Sequence, residues 1–281
     1  MNILQISDLQ FGPRHWGGDD QVLLEKINSY NADIVINAGD NTTDGLENEY
    51  AEAGRFLKAI KCKNVISTIG NHDKRNMRSH ELFQKYIYNP ELIYPFKNTK
   101  TVKKHLFLDP VITKVRKNFT DINFIEPISV NGKTVLIISI DSSELYSDDG
   151  FVEVGVLQAA SDKINHTEFD MPLLLTHYSI LGTDMCPLKN SSRLIDFVRK
   201  HKIENVFCGH THELELMHTT DLYHNNSFNQ FMCGSLSSCN HENDDNMFLY
   251  FENFDRDDKH LYLIRIFLEE GKVTFKEEMV Y

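Results

Sequence analysis

The sequence predicts an α/β fold built on a parallel sheet with helical crossovers, and three observations predict it. Short apolar runs alternate with amphipathic helix-length segments over residues 2–69, the pattern of βαβ units. Regularity resumes at residue 127, where Asn131-Gly132 separates two apolar runs, the strongest short hairpin signal. Five of the apolar runs end on Asp, Asn or His, and open α/β sheets gather ligands outside the carboxyl ends of their strands.

Asn2–Ser7 reads as a strand that delivers Asp8 and Gln10 into the glycine-rich loop Phe11–Gly18. Asp19–Tyr30 has Val22, Leu23, Ile27 and Tyr30 at helical spacing behind an acidic start. Asp33–Ala38 is the next buried strand and delivers Gly39-Asp40-Asn41. Glu47–Ile60 is a second amphipathic helix, through Tyr50, Ala53, Leu57 and Ile60. Val65–Ile69 is a third strand, delivering Gly70-Asn71-His72-Asp73.

The rhythm breaks at 74–123, which reads as an inserted cap, basic and rich in aromatics, with a helical stretch at Ser79–Ile87. Pro127–Val130 and Lys133–Ile140 form the hairpin, whose second arm delivers Asp141-Ser142-Ser143. A helix is expected around Val156–Ile164, a strand at Pro172–Thr176 delivering His177, and a serine-capped helix at Ser192–His201. Asn205–Cys208 then leads to His210 and His212. The tail reads as β-rich, through Gln230–Leu236, Leu261–Leu268 and Lys272–Lys276, with 239–281 as a C-terminal extension.

The length of 281 residues suits a sizeable core, and 41% hydrophobic with 25% charged residues is an ordinary globular balance. The longest apolar run, Val135-Leu136-Ile137-Ile138, is far too short to cross a bilayer, so no membrane association is expected. Met1–Ser7 is strand-like rather than a signal segment. The five cysteines form no CxxC, which speaks against a disulfide framework and points to a cytoplasmic location. Net charge is −12, against a generally nucleic-acid-coated surface. Residues 74–118 nevertheless hold 11 Lys and Arg against three acids.

The His210-Thr211-His212 spacing puts two imidazoles on one side of an extended segment at a strand end. With Asp8, Asp40, Asn71, His72 and His177 they make a set of carboxylate, amide oxygen and imidazole without thiolate. Such a set suits Mn, Fe, Zn or Ni rather than a structural zinc.

Asp8-Leu9-Gln10, Gly39-Asp40, Gly70-Asn71-His72-Asp73, His177 and Gly209-His210-Thr211-His212 resemble the ordered motifs of calcineurin-like metallophosphoesterases. The resemblance runs from Met1 to about Ser238 and is closest to bacterial class III cyclic-nucleotide phosphodiesterase-like proteins. It implies one metallophosphoesterase domain over 1–281, a four-layer αββα sandwich of two mixed sheets flanked by helices. It also implies two divalent ions, Mn²⁺ foremost, with Fe, Zn and Ni as alternatives. Asp8 and His212 would hold one ion, Asn71, His177 and His210 the other, and Asp40 would bridge them. The ions would supply hydroxide near neutral pH to attack a phosphodiester. His72 matches the non-ligand histidine that protonates the leaving oxygen.

One departure stands out: the family usually has His where this chain has Gln10, whose amide oxygen is the weaker ligand. Tyr178 stands where many relatives have a second histidine. Asp141 reads as supporting or turn-forming, and Cys208 as packing.

For substrate binding the candidates are Asn41, Asn71, Lys74 and Arg75, the last two directly after the third strand's loop. The cations of 74–118 are interleaved with Phe83, Tyr86, Tyr88, Tyr94, Phe96, Phe107 and Phe119, a pairing that suits a nucleotide or single-stranded nucleic acid. The same aromatics also suit a local core under a solvated charged face. The leading expectation is a metal-dependent phosphodiesterase acting on a nucleotide-type diester. A nuclease, and a metal-binding interaction module with a vestigial site, stay open beside it.

Overall fold

A computed structural model of the protein describes residues 1–93, 100–102, 115–117, 121–182, 187–239 and 246–281. Tyr94, Phe96, Lys97, Lys103, Lys104, Phe107, Lys114, Phe119 and Cys186 lie outside the described residues.

The strands alternate side chains between faces, and that alternation builds the layers. In chain order the elements are β1 (Ile3–Ile6), α1 (Asp20–Ser29), β2 (Ile34–Asn37), α2 (Glu47–Ala59), β3 (Asn64–Ser67), α3 (Ser79–Tyr86), β4 (Lys100–Val102) and β5 (Val115–Lys117). There follow β6 (Phe124–Val130), β7 (Lys133–Ser139), α4 (Val154–Ile164), β8 (Met171–Leu175), α5 (Ser191–Lys200) and β9 (Asn205–Cys208). The chain closes with β10 (Glu215–Asp221), β11 (Asn226–Met232), β12 (Asn246–Glu252), β13 (His260–Glu269) and β14 (Lys272–Met279).

Two six-stranded mixed sheets result, ordered β14-β13-β12-β1-β2-β3 and β10-β11-β9-β8-β7-β6, with β4 and β5 as a separate pair. Strands β1, β2 and β3 are parallel, as are β7, β8, β9 and β11. Ile3, Ile34 and Ile36 of the first sheet meet Ile137, Leu173, Leu175 and Phe207 of the second in one buried cluster. Their neighbours Leu4 and Val35 face the other way, onto Leu23 and Ile27 of α1 and Ala53 and Phe56 of α2. On the far side, Leu136, Leu174 and Val206 pack on Val156 and Ala160 of α4 and Leu194 and Val198 of α5. The layers are therefore helix, sheet, sheet, helix, the αββα sandwich.

Local chemistry sets the ends of these elements. Asp19 caps α1 by accepting from the Gln21 amide, and the Asn131-Gly132 turn joins β6 to β7 with both residues at positive φ. Besides the β4–β5 pair, two strands of the large sheets have no counterpart in the sequence reading. β12 inserts antiparallel beside β1, its middle residues buried on both faces and so without alternation. β10 is a half-exposed edge strand whose polar face reads as loop. The C-terminal strands thus complete the first sheet.

The α3 segment of the basic region packs against the body. Leu82 and Phe83 of α3 lie in the inter-sheet cluster. Arg78 and Lys85 bridge to Glu47 at 3.0 and 2.8 Å, and the hydroxyls of Tyr86 and Tyr88 bond Glu47 and Glu126. No helix among the described residues is long and apolar enough to cross a membrane.

Candidate metal centre

Parallel register places the site. Ile6, Asn37 and Ser67 are aligned neighbours across β1, β2 and β3, so Asp8, Asp40 and Asn71 leave the first sheet side by side. Leu175 and Phe207 are likewise paired, bringing His177 and the His210-Thr211-His212 loop off the second sheet. The candidates therefore come from the ends of two facing sheets.

The turns that carry them are bent hard. Asp8, Gln10, Asp40, His210 and His212 all have left-handed backbone, φ between 51° and 85°, a region that costs non-glycine residues about 1–3 kcal/mol each. Hydrogen bonds across the loops hold them there, Asp8 N to Gly39 O at 2.9 Å and Gln10 N to Asp40 O at 3.0 Å. Close approach also explains two glycines: a Cβ on Gly70 would fall 2.1 Å from Asp40 Oδ1, and one on Gly209 1.8 Å from Ser7 Oγ.

Ligand atoms of Asp8, Asp40 and His177 lie within 4.8 Å of one another, all buried. His177 Nδ1 donates to Ala38 O at 2.7 Å, which leaves Nε2 facing Asn71 Oδ1 at 3.0 Å and Asp40 Oδ1 at 3.4 Å. His210 Nδ1 also meets Asn71 Oδ1 at 3.0 Å, and His212 Nε2 meets Asp8 Oδ1 at 3.2 Å. Asp40 stands between these groups. Its Oδ1 faces His177 and accepts from His72 N, and its Oδ2 accepts from Gln10 Nε2 at 3.1 Å.

A buried cluster of acceptors is stable only around positive charge. Burial would raise the Asp40 carboxyl, but the imidazoles of His177 and His72 hold it well below the usual carboxylate range. Burial opposes charge on His177, yet Asp40 carries its pKa up to about 9. A divalent cation would supply positive charge at the same atoms. Asp8, Asp40 and His177 fit a metal ion, and Asn71, His210, His212 and Gln10 bring further donor groups against them.

Gln10 supports this fit. Its Oε1 is fully buried with no hydrogen-bond partner, while its Nε2 holds Asp40. A half-turn of the amide would present Oε1 toward Asp40, a swap that requires a cation between the two oxygens. Gln10→His is therefore expected to tighten Mn²⁺ binding by on the order of tenfold, read by calorimetric titration. Two equally tight ions in the unmodified protein would remove the basis for that expectation.

Supporting groups surround the ligands. Asp73 accepts from Gly70 N, Asn41 N and Nδ2, and Thr42 N and Oγ1, tying the Asp40 loop to the Asn71 loop. Burial and the nearby Asp40 push Asp73 up to about 6. His72 Nδ1 bonds Thr43 O at 2.7 Å, so Nε2 is the ring atom turned outward. Arg14 Nη1 lies 3.2 Å and Arg75 Nη2 3.4 Å from it. Burial lowers the His72 pKa, Asp40 opposes this, and the two guanidiniums lower it further.

Two substrate-binding expectations are corrected. Lys74 is fully buried, with Nζ held by Asp141, by Asp121 at 3.3 Å and by Ser143 O at 2.6 Å, so it faces away from any substrate. Asn41 is also fully buried and spans Asn37, Ser67, Thr68 and Asp73. Arg75 is partly exposed at the site, and Asn71 lies among the ligands. Tyr178 covers His210, ring centroids 4.0 Å apart, and donates to Asp148 O. Asp141 anchors Lys74 and accepts from Ile122 N and Ser143 N. Arg14 was absent from the sequence reading, since an arginine in a glycine-rich loop carries no periodic or motif signal.

The family model for calcineurin-like phosphoesterases matches residues 1–214. A probable cyclic nucleotide phosphodiesterase of Coxiella burnetii is 27% identical over 103 residues, 34% of this chain and 41% of that relative. Among solved structures, a 5'-nucleotidase from Candida albicans is 14% identical with a TM-score of 0.55, covering 94% of this chain and 51% of that one. The NAD nucleotidase of Haemophilus influenzae is 14% identical with a TM-score of 0.54, covering 98% and 49%. These two share the fold, and this chain spans about half of each. On its motifs, its sandwich and the match over most of its length, the chain belongs to the calcineurin-like phosphoesterase family.

Proposed function

We propose that this protein is a metal-dependent phosphodiesterase that hydrolyses a nucleotide-type diester with two divalent ions, Mn²⁺ the working metal. The observation that carries the reading is the convergence of Asp40, Asn71 and His177 acceptor atoms beside a non-ligand histidine, His72, whose Nε2 is turned toward two arginines. When bound, the ions supply Lewis-acid charge and a water of lowered pKa. Likeness to the Coxiella phosphodiesterase supports a nucleotide diester.

The chain's own residues do the rest. Asp40, fixed by His72 N and Gln10, sets the spacing of the two ligand groups. The Thr43 carbonyl fixes the His72 ring, and Nε2, after taking up a proton from solvent, would be the atom that passes it to the leaving oxygen. Arg75 lies beside that atom as a contact for substrate phosphate.

Metal-stripped protein given Mn²⁺ is expected to cleave bis-p-nitrophenyl phosphate faster than p-nitrophenyl phosphate. Preference for the monoester would make it a phosphatase. Absence of turnover with Mn²⁺, Ni²⁺, Zn²⁺ and Mg²⁺ would leave a metal-binding module. His72→Ala is expected to slow a dinucleotide by roughly 10²–10⁴-fold, the usual worth of a general acid, and bis-p-nitrophenyl phosphate much less, because p-nitrophenolate leaves without a proton. Equal losses on both substrates would exclude the proton-donor role.

A further inference from the structure

Arg14 and Arg75 reach the site from different loops, one between β1 and α1, the other after β3. Both guanidiniums end within 3.4 Å of His72 Nε2, on the side where the leaving oxygen must lie if His72 protonates it. Two cations so close repel each other, and their surroundings offset this unevenly. Arg75 has Asp148 at 3.3 Å and Asp44 at 3.6 Å, whereas Arg14 pairs with no carboxylate among the described residues. The placement of Arg14 is nevertheless built into the fold. Its amide donates to Thr43 Oγ1 at 3.2 Å and its carbonyl accepts from Cys239 N at 2.9 Å.

Charge decides what such a pair is for. A scissile diester brings a single negative charge, and together with Asp8, Asp40 and a hydroxide it already balances two divalent ions. Two guanidiniums aimed at that same group would add positive charge that the diester has nothing left to match. A second phosphate beside the leaving oxygen restores the balance and matches the planar donor forks of arginine.

We propose that Arg14 and Arg75 bind a second phosphate carried by the leaving fragment, so that the substrate class is a linear nucleotide diester bearing a terminal phosphate rather than a cyclic nucleotide. This rests on the phosphodiesterase reading above.

The test compares the Mn²⁺-loaded protein on the dinucleotide ApA with its 5'-phosphorylated and 3'-phosphorylated forms. One phosphorylated form is expected to lead ApA by about tenfold or more in kcat/KM, as a charge-assisted contact gives. That ratio is expected to fall toward one in Arg14→Gln and in Arg75→Gln, and to survive in part in Arg14→Lys. A ratio near one in the unmodified protein, or a ratio untouched by both Gln variants, overturns the proposal.

A second readout is independent of turnover: calorimetric binding of inorganic pyrophosphate to metal-stripped protein, expected to weaken about fivefold or more in either Gln variant. If no diester is cleaved, the phosphodiesterase reading falls. Pyrophosphate binding then decides alone: weakening in both variants supports the anion subsite, and unchanged binding overturns it.

Discussion

Asp40→Asn is expected to abolish metal-dependent diester cleavage, by about a thousandfold or more, and to remove the Mn²⁺-induced rise in Tm. The substitution keeps the volume of the side chain and exchanges one carboxylate oxygen for an amide nitrogen. Asp40 is the group that faces both halves of the site, Oδ1 toward His177 and Oδ2 toward Gln10. An amide bears no charge to offset two cations roughly 3.5–4 Å apart, and several kcal/mol of stabilisation are lost at the reacting group. A metal at a hundred times its Kd stabilises a fold by about 2.7 kcal/mol, so the missing Tm rise reports metal loss directly. With EDTA present the variant is expected to stay folded by circular dichroism, because His177 keeps its bond to Ala38 O as a neutral ring. A variant that still gains full Tm with Mn²⁺ and retains turnover would remove Asp40 from the centre of the site.

Lys74→Met is expected to destabilise the protein by about 3–5 kcal/mol, the range seen when one partner of a buried ion pair is removed. Lys74 is fully buried, and its ammonium is the cation for two carboxylates, Asp141 and Asp121. Burial opposes the charged amine, but the two acids hold its pKa above the ordinary lysine value. Burial, with Asp121 adding to it, raises Asp141 even though Lys74 opposes the shift, and removal of Lys74 takes that opposition away. Urea unfolding at pH 7 reads the loss. Lys74→Met with Asp141→Leu is expected to recover part of it, since a matched apolar pair leaves one buried charge fewer. A destabilisation below about 1 kcal/mol together with a raised KM would return Lys74 to the role of phosphate contact.

The fate of Lys74 shows where reading the chain alone stops. Next to Asn71 and His72 in sequence, it reads as a cation at the mouth of a site. Its direction is set by Asp121 and Asp141, 47 and 67 positions further on, and no local pattern announces that pairing. Arg14 is the opposite case. It sits in a loop with no signal of its own, and the fold brings it 3.2 Å from His72, 58 positions away. Asn41 reads as a group that positions phosphate or the adjacent ligand, and it is a buried brace between the loops that carry the ligands.

What the sequence determined is the part governed by local periodicity and by residue type at strand ends. Ile3, Ile34 and Ile36, alternating with Leu4 and Val35, fix strands whose two faces are both apolar. The ends of β1, β2, β3, β8 and β9 fix which residues are presented, namely Asp8, Asp40, Asn71, His72, His177, His210 and His212. What the tertiary structure decided is the distribution of those strands over two facing sheets, the insertion of β12 beside β1, and the direction of every charged side chain around the site. The physical reason is the range of the forces. Periodicity and turn chemistry act within a few residues, so they are written locally. Burial of charge is settled between groups far apart in the chain, and it appears only when the chain has folded.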